Sequence, residues 1–131
     1  MEAIKLSHQL LAAAGSPTTT FAPGEVIFRE GDKADKMYVV LSGEVEVRLQ
    51  GTVIETLAQG ATFGEMALID GSPRSATVVA KTSSEVAAIN EKTFVLLVDE
   101  MPYFALSTMR NLVDRLRRMN EQWLALRPRA L

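Results

Sequence analysis

One stretch of the chain carries most of the residues able to do chemistry: Phe63-Gly64-Glu65-Met66-Ala67-Leu68-Ile69-Asp70-Gly71-Ser72-Pro73-Arg74-Ser75-Ala76-Thr77-Val78. Gly64 can bring backbone close to a ligand or adopt a positive φ. Residues 65–68 can form one helical turn, whose first N–H groups lack intrahelical acceptors and favour an anion. Arg74 offers a planar fork of donors that suits a phosphate. Ser75 adds a hydroxyl and a backbone N–H beside it. Glu65, acceptor-only when ionised, repels phosphate but welcomes sugar hydroxyls. The segment thus holds an anion clamp next to a hydroxyl acceptor. A plainer reading stays open on residue types alone: a strand–turn–strand in which Glu65 and Arg74 form a surface ion pair of about 0–1 kcal/mol.

Such groups need a scaffold, and the flanking sequence reads as β-structure. Glu25–Phe28, Met37–Leu41, Glu44–Leu49, Thr52–Leu57, Ser75–Ala80 and Glu85–Asn90 are short β-like runs punctuated by glycines. Val45, Val47 and Leu49 alternate with Glu44, Glu46 and Arg48, the period of two that marks a strand with one wet face. Gln50-Gly51 or Gly51-Thr52 is the expected hairpin tip. Strands this short and this frequent predict an antiparallel β-roll or jelly-roll barrel. Before the roll, Glu2 to Ala14 has the spacing of a short amphipathic helix, closed by Gly15-Ser16-Pro17, with Thr18 to Ala22 extended. After it, Asn90 is the expected N-cap of a helix over 91–100. Met101-Pro102 breaks that helix, and a second one runs from Tyr103 to about Leu126. The fold class is mainly β with flanking helices. The expected organisation is one domain over 1–131: a helix and lead-in (1–20), the β-roll (21–90) and two C-terminal helices (91–127).

Composition narrows the function. The 131 residues suit one domain. With no cysteine and a single histidine, His8, the chain offers no thiolate nucleophile, no zinc–thiolate site and no multi-histidine metal site. There is no Ser-His or Cys-His pair either, so an enzyme is not expected. A net charge of −2 gives no electrostatic case for general nucleic-acid or acidic-membrane binding. No run approaches the roughly 20 apolar residues of a membrane span, and the N-terminus does not read as a signal peptide. A cytoplasmic location is expected.

The chemical segment resembles the phosphate-binding cassette of the cyclic-nucleotide-binding domain family. That pattern runs F-G-E-[LMI]-A-L, a spacer, then P-R-[SAT]-A-T-V, and residues 63–78 match each element. Pro23-Gly24-Glu25-Val26-Ile27-Phe28 with Glu30-Gly31-Asp32, and Met37 to Val45, are similar to the family's first strands. Residues 80–94 are similar to the exit strand and hinge of bacterial catabolite activator sensor domains. The resemblance covers about residues 21–118. It implies that the Glu65 carboxylate accepts a ribose 2′-OH and that Arg74 pairs with exocyclic phosphate oxygens. Backbone N–H groups near Gly64, Met66, Ala67 and Ser75, with Ala76 following, would complete the cradle. Val47, Ile54, Phe63 and Val78 are candidates for the apolar wall around ribose and base, with ordinary barrel core as the alternative for each.

The resemblance also implies a ligand and no cofactor. Relatives selective for cGMP often place Thr after the arginine. This chain has Ser75, as several cAMP-binding bacterial members do, so cAMP is expected ahead of cGMP. Arg118, Met119 and Asn120 fall where a lid from the last helix would meet the base. Along that helix Met109, Leu112, Leu116, Met119 and Trp123 form a heptad-like seam. The seam either packs on the chain's own roll or pairs with a second copy. Arg110, Arg115, Arg117 and Arg118 beside it read as solvated flanks. The regulator relatives carry a DNA-reading module C-terminal to this helix, so direct DNA binding is not expected if the 131 residues are the whole gene product. A native-looking Met1 favours a complete chain. The expected role is a stand-alone sensor acting through its C-terminal helices on an unknown effector protein, with no DNA binding of its own. The alternatives are an interaction domain without ligand, and the sensor fragment of a larger regulator.

Overall fold

The computed structural model describes Leu11 and residues 15–126. In chain order the elements are β1 (Thr18–Phe21), β2 (Val26–Phe28), β3 (Lys36–Ser42), β4 (Val45–Leu49), β5 (Thr52–Leu57), β6 (Thr62–Phe63), α1 (Met66–Ile69), β7 (Thr77–Ala80), β8 (Ser84–Asn90), α2 (Glu91–Glu100) and α3 (Tyr103–Leu126). The strands form two antiparallel sheets, ordered β1-β8-β3-β6 and β2-β7-β4-β5. This is the expected antiparallel roll with C-terminal helices. The expected helix over residues 2–14, and with it His8, lies outside the described residues apart from Leu11, which is helical and buried.

Alternation along two central strands creates two cores. Met37 and Val39 of β3, with Ala87 and Ile89 of β8, point to one side, where they meet Leu11, Leu97 and Phe104. Val40 and Val86 point to the other side and join Val45, Leu57, Phe63 and Val78 between the sheets. A strand sends successive side chains to opposite faces, so one hydrophobic run can serve both a sandwich core and a helix dock. The helix dock follows directly from β8. The Asn90 side chain accepts from the Thr93 N–H at 2.8 Å and caps α2, as its residue type foretold. Phe94 of α2 and Phe104 of α3 meet with ring centroids 5.5 Å apart, which fixes the second helix against the first.

Two turns position the site. At the β4–β5 hairpin, Gln50 and Gly51 both have positive φ (50° and 82°), which suits the right-handed twist of the strands. The register then slips: Val47 faces Glu55 and Arg48 faces Val53, leaving Ile54 without a partner in a bulge. At Gly43, the turn between β3 and β4 lies so close to the Ser83–Ser84 turn that a Cβ would stand 2.3 Å from the Ser83 carbonyl oxygen. The two turns are laced by Ser84 Oγ donating to Glu44 O (3.0 Å) and by Lys81 N–H donating to the same oxygen (2.9 Å).

The helix dock makes a testable distinction. Leu97 is fully buried, whereas its neighbour Leu96 is 42% exposed. Leu97→Ala should lower unfolding free energy by about 2–5 kcal/mol, and Leu96→Ala by less than about 1 kcal/mol. Urea denaturation followed by circular dichroism checks both.

Candidate functional site

The segment between β6 and β7 folds inward because its backbone is pinned from behind. Gly64 leaves β6 with φ +77°. Glu65 then serves as the N-cap of the single-turn helix α1. In the return loop, Asp70 accepts from the Ser72 N–H at 2.9 Å, and its hydrogen bonds to Ser72 hold the exposed carboxyl below its usual range. Arg74 is held on both sides by the β2–β3 loop: its N–H donates to Asp32 O at 2.9 Å and its C=O accepts from Gly31 N–H at 2.8 Å. With the backbone fixed that way the side chain enters the roll, where it is only 8% exposed.

The Arg74 guanidinium lies over the Phe28 ring at 4.1 Å and beside the Tyr38 ring at 5.5 Å. Nη1 donates to Gly64 O (3.2 Å) and Nη2 to Lys36 O (2.7 Å). Phe28, Tyr38 and Phe63 pack together, with Tyr38 stacked on Phe63 at 5.2 Å. Among the described residues no carboxylate forms an ion pair with Arg74. Burial pushes its pKa below the usual arginine value, opposed by Tyr38, through its charge and a side-chain hydrogen bond, and by Asp35 and Asp32. An arginine keeps its proton regardless, so the site holds a buried cation hydrogen-bonded to neutral carbonyls and to the Tyr38 side chain.

Glu65 is buried too, at 4% exposure, but its charge is met. Thr62 Oγ1 donates to Oε1 at 2.5 Å, and Arg115 Nη1 to Oε2 at 3.1 Å. Arg115 comes from α3. Its Nη2 donates to Thr62 O at 2.7 Å. Its Nε stands 3.0 Å from Glu55 Oε2 on β5, at an angle too poor for a hydrogen bond, so that contact is a charge pair only. Arg118, one turn further on, pairs with Glu55 Oε1 at 2.5 Å. The run Arg118–Glu55–Arg115–Glu65 therefore ties the last helix across the mouth of the roll.

The cassette residues assemble as one wall. Gly64, Glu65 and Arg74 are in direct sequence or hydrogen-bond contact, and the surface ion pair between Glu65 and Arg74 does not form: each is buried with other partners. Ala67 and Ala76 are buried, while Met66 and Ser75 are exposed. The Ala67 N–H closes on Gly64 O at 3.2 Å, and the N–H groups of Met66 and Ser75 meet no acceptor among the described residues. Phe63 and Val78 belong to the core between the sheets, and Val47 packs against it. Ile54 does not join them: the bulge turns it out to 47% exposure. Met119 and Asn120 are exposed, and Arg118 is occupied with Glu55. One expectation about the helix is corrected: Arg115 and Arg118 are not idle flanks but ion-pair partners of the roll. Of the seam, Met109, Leu116, Met119 and Trp123 are exposed and Leu112 is half-buried. Phe28, Tyr38, Thr62, Glu55 and Arg115 complete the site without having been singled out as site residues; an acidic residue at an inward position of β5 was the available signal.

Residues 18–101 match the sequence model of the cyclic nucleotide-binding domain, and the chain belongs to that family. A cAMP-dependent protein kinase regulatory subunit from Yarrowia lipolytica is 45% identical over 78 residues, covering 58% of this chain and 21% of that protein. The catabolite activator protein of Thermus thermophilus superposes with a TM-score of 0.72 at 29% identity, over 92% of this chain and 60% of the other. The cAMP-bound structure of PfPKA-R superposes with a TM-score of 0.67 at 28% identity, over 82% of this chain and 37% of that one. The chain thus spans only a fifth of the kinase subunit and three fifths of the activator. No helix among the described residues is long and apolar enough to cross a membrane.

Gly64 gives the geometry a direct test. A Cβ there would stand 2.6 Å from Arg74 Nη1, whereas one at Gly71, also at positive φ, would meet open space. Both Ala substitutions carry the left-handed penalty of about 1–2 kcal/mol. Gly64→Ala should cost more than Gly71→Ala by about 1 kcal/mol or more, because it also displaces the guanidinium. Paired thermal or urea unfolding curves measure the difference.

Proposed function

We propose that this chain is a cyclic-nucleotide sensor, with cAMP preferred over cGMP, whose C-terminal helices carry the ligand state to a partner. The observation that carries the reading is the buried Arg74 cation without a carboxylate. Leaving a charge out of water without a counter-ion costs several kcal/mol, and a cyclic phosphate is an anion of suitable size and geometry. In this reading Arg74, with the N–H groups of Met66 and Ser75 and the Ser75 hydroxyl, grips the phosphate. Glu65 takes the ribose 2′-OH on lone pairs left over by Thr62 and Arg115, since a carboxylate accepts about four hydrogen bonds. Phe63, Val47 and Val78 line the apolar side. Arg118, Met119 and Asn120 face the base from α3. The cAMP-bound relative and the kinase regulatory subunit support the choice of ligand.

Transmission follows from Glu65, which stands between the sugar and α3. Ligand favours whichever arrangement of Arg115 and α3 it binds more tightly, and only that difference moves the helix. The outward face of α3 is the output. Leu106, Met109, Val113, Leu116 and Trp123 are exposed at spacings of three and four with one gap of seven. A seam of this kind pairs with a second copy. An effector protein is a further partner in this reading. A cytoplasmic setting belongs to it as well, in keeping with a cysteine-free composition.

Arg74→Ala should weaken cAMP binding at least tenfold, as loss of a buried charge partner costs on the order of 2–5 kcal/mol. Its melting curve should stay cooperative. Calorimetry showing unchanged affinity would remove Arg74 from the site. Leu116→Glu should convert a dimer to a monomer in light scattering while leaving the melting curve of the roll intact. A wild-type chain that is already monomeric at high micromolar concentration would defeat the seam.

A further inference from the structure

The outward face of the sheet β2-β7-β4-β5 carries a second polar cavity. Val78 points into the core between the sheets, so its neighbour Val79 points outward by strand alternation. Val79 is nevertheless only 4% exposed. With Val26, its partner across β2 and β7, it lines a cavity of about 290 Å³. Polar groups surround this apolar floor. Arg29 enters just after β2, Arg48 and Thr77 from paired positions on β4 and β7, and Gln50 from the hairpin tip. Among the described residues the Arg29 side chain has no hydrogen bond and no ion pair. Arg48 commits Nη2 to Glu46 at 2.7 Å, its Nε has no acceptor among the described residues, and its side chain is 40% exposed. Thr77 Oγ1 accepts from the Glu30 N–H at 3.0 Å, which leaves the hydroxyl hydrogen to donate. Gln50 holds the left-handed conformation at φ 50°, where Asn or Gly is the ordinary choice, and so brings a side-chain amide to the cavity. Glu30 is the one carboxylate in the lining, and it pairs with neither arginine.

We infer that this cavity binds a phosphate group, separately from the cassette. Two guanidiniums from different segments, a hydroxyl and a side-chain amide all bring donors to one place. A carboxylate is satisfied by a single guanidinium fork, whereas a tetrahedral phosphate dianion has oxygens enough for both arginines and the hydroxyl. The volume lies at the small end for ligand sites, room for phosphate with a short substituent and not for a nucleotide. Val26 and Val79 give the carbon of such a substituent an apolar seat. The two arginines make this a different site from that of Arg74, so the inference does not rest on the cyclic-nucleotide reading.

The test titrates the Arg74→Ala variant, whose cassette has lost its own anion clamp, with inorganic phosphate and with methyl phosphate. At about pH 8 both are dianions. Heteronuclear NMR follows the amides, with sodium chloride at matched ionic strength as the control. The amides of Gln50, Gly51 and Thr77 should shift along saturating curves with a Kd in the millimolar range. Saturation by methyl phosphate assigns the site to a small phosphomonoester, and saturation by inorganic phosphate alone assigns it to the free anion. Arg29→Gln and Arg48→Gln should each weaken binding about threefold or more. Glu30→Gln should tighten it about twofold or more, because it removes the like charge from the lining. That opposite sign separates recognition of an anion from a general loss of structure. Linear shifts equal to those with chloride overturn the inference. So does an unchanged Kd in Arg29→Gln, an exposed position whose variant decides even if Arg48→Gln does not fold. Should Arg74→Ala fail to fold, wild type saturated with cAMP takes its place. Failure of the cyclic-nucleotide reading looks different: wild type binds no cAMP, while the shifts at Gln50 and Thr77 persist.

Discussion

A guanidinium that cannot lose its proton lies buried among carbonyl dipoles, two aromatic faces and the Tyr38 side chain, with Asp35 and Asp32 at longer range. Arg74 is the constraint around which the roll is arranged. The β2–β3 loop pins its backbone through Gly31 and Asp32. Phe28 and Tyr38 form its floor. Gly64 must lack a Cβ for its Nη1 to lie where it does. Cation–π contacts and neutral hydrogen bonds offset part of the desolvation, but a formal anion does so more fully. The fold thereby holds a buried positive charge beside a short helix.

The second consequence is a chain of charges that leads from the neighbourhood of Arg74 to the last helix. Glu65 sits one residue after Gly64 and is shared with Arg115 of the last helix. Arg115 is shared in turn with Glu55 of the edge strand β5, and Glu55 with Arg118. The buried residues of α3 end early, at Phe104 and Thr108, and beyond Thr108 the helix meets the roll through these charge pairs and through hydrogen bonds of Asn111 and Arg115 to Thr62. Ion pairs at a partly wet boundary are weaker and more easily exchanged than apolar packing. A helix held that way can be repositioned at lower free-energy cost than one buried along its length.

Much of this was legible in the residues. The alternation of Val45, Val47 and Leu49, the glycine turns, the Asn90 cap and the Met101-Pro102 break are local signals with local causes. The cassette was legible because its chemistry is confined to one short segment. The rest was not, for physical reasons. Strand β6 has two residues, too few to show a period. The outward turn of Ile54 comes from a bulge, which slips register without a sequence mark. The pairing of Glu65 with Arg115 joins residues fifty positions apart, and nothing in either neighbourhood names the other. Along α3 a stripe of mixed Leu, Met and Val leaves its phase to tertiary contacts, which half-bury Leu112 and leave Val113 exposed.

The central claim is that the folded chain binds a cyclic nucleotide that the unfolded chain cannot. Its most direct measurement is the unfolding temperature of the wild-type chain with and without millimolar cAMP, beside 5′-AMP at the same concentration. A ligand of the native state raises stability by RT ln(1 + [L]/Kd), about 2.7 kcal/mol when the ligand is at 100 Kd. For a domain of this size that corresponds to a rise of several degrees. The account predicts such a rise with cAMP and little or none with 5′-AMP. Superimposable curves in the presence and absence of cAMP would contradict it.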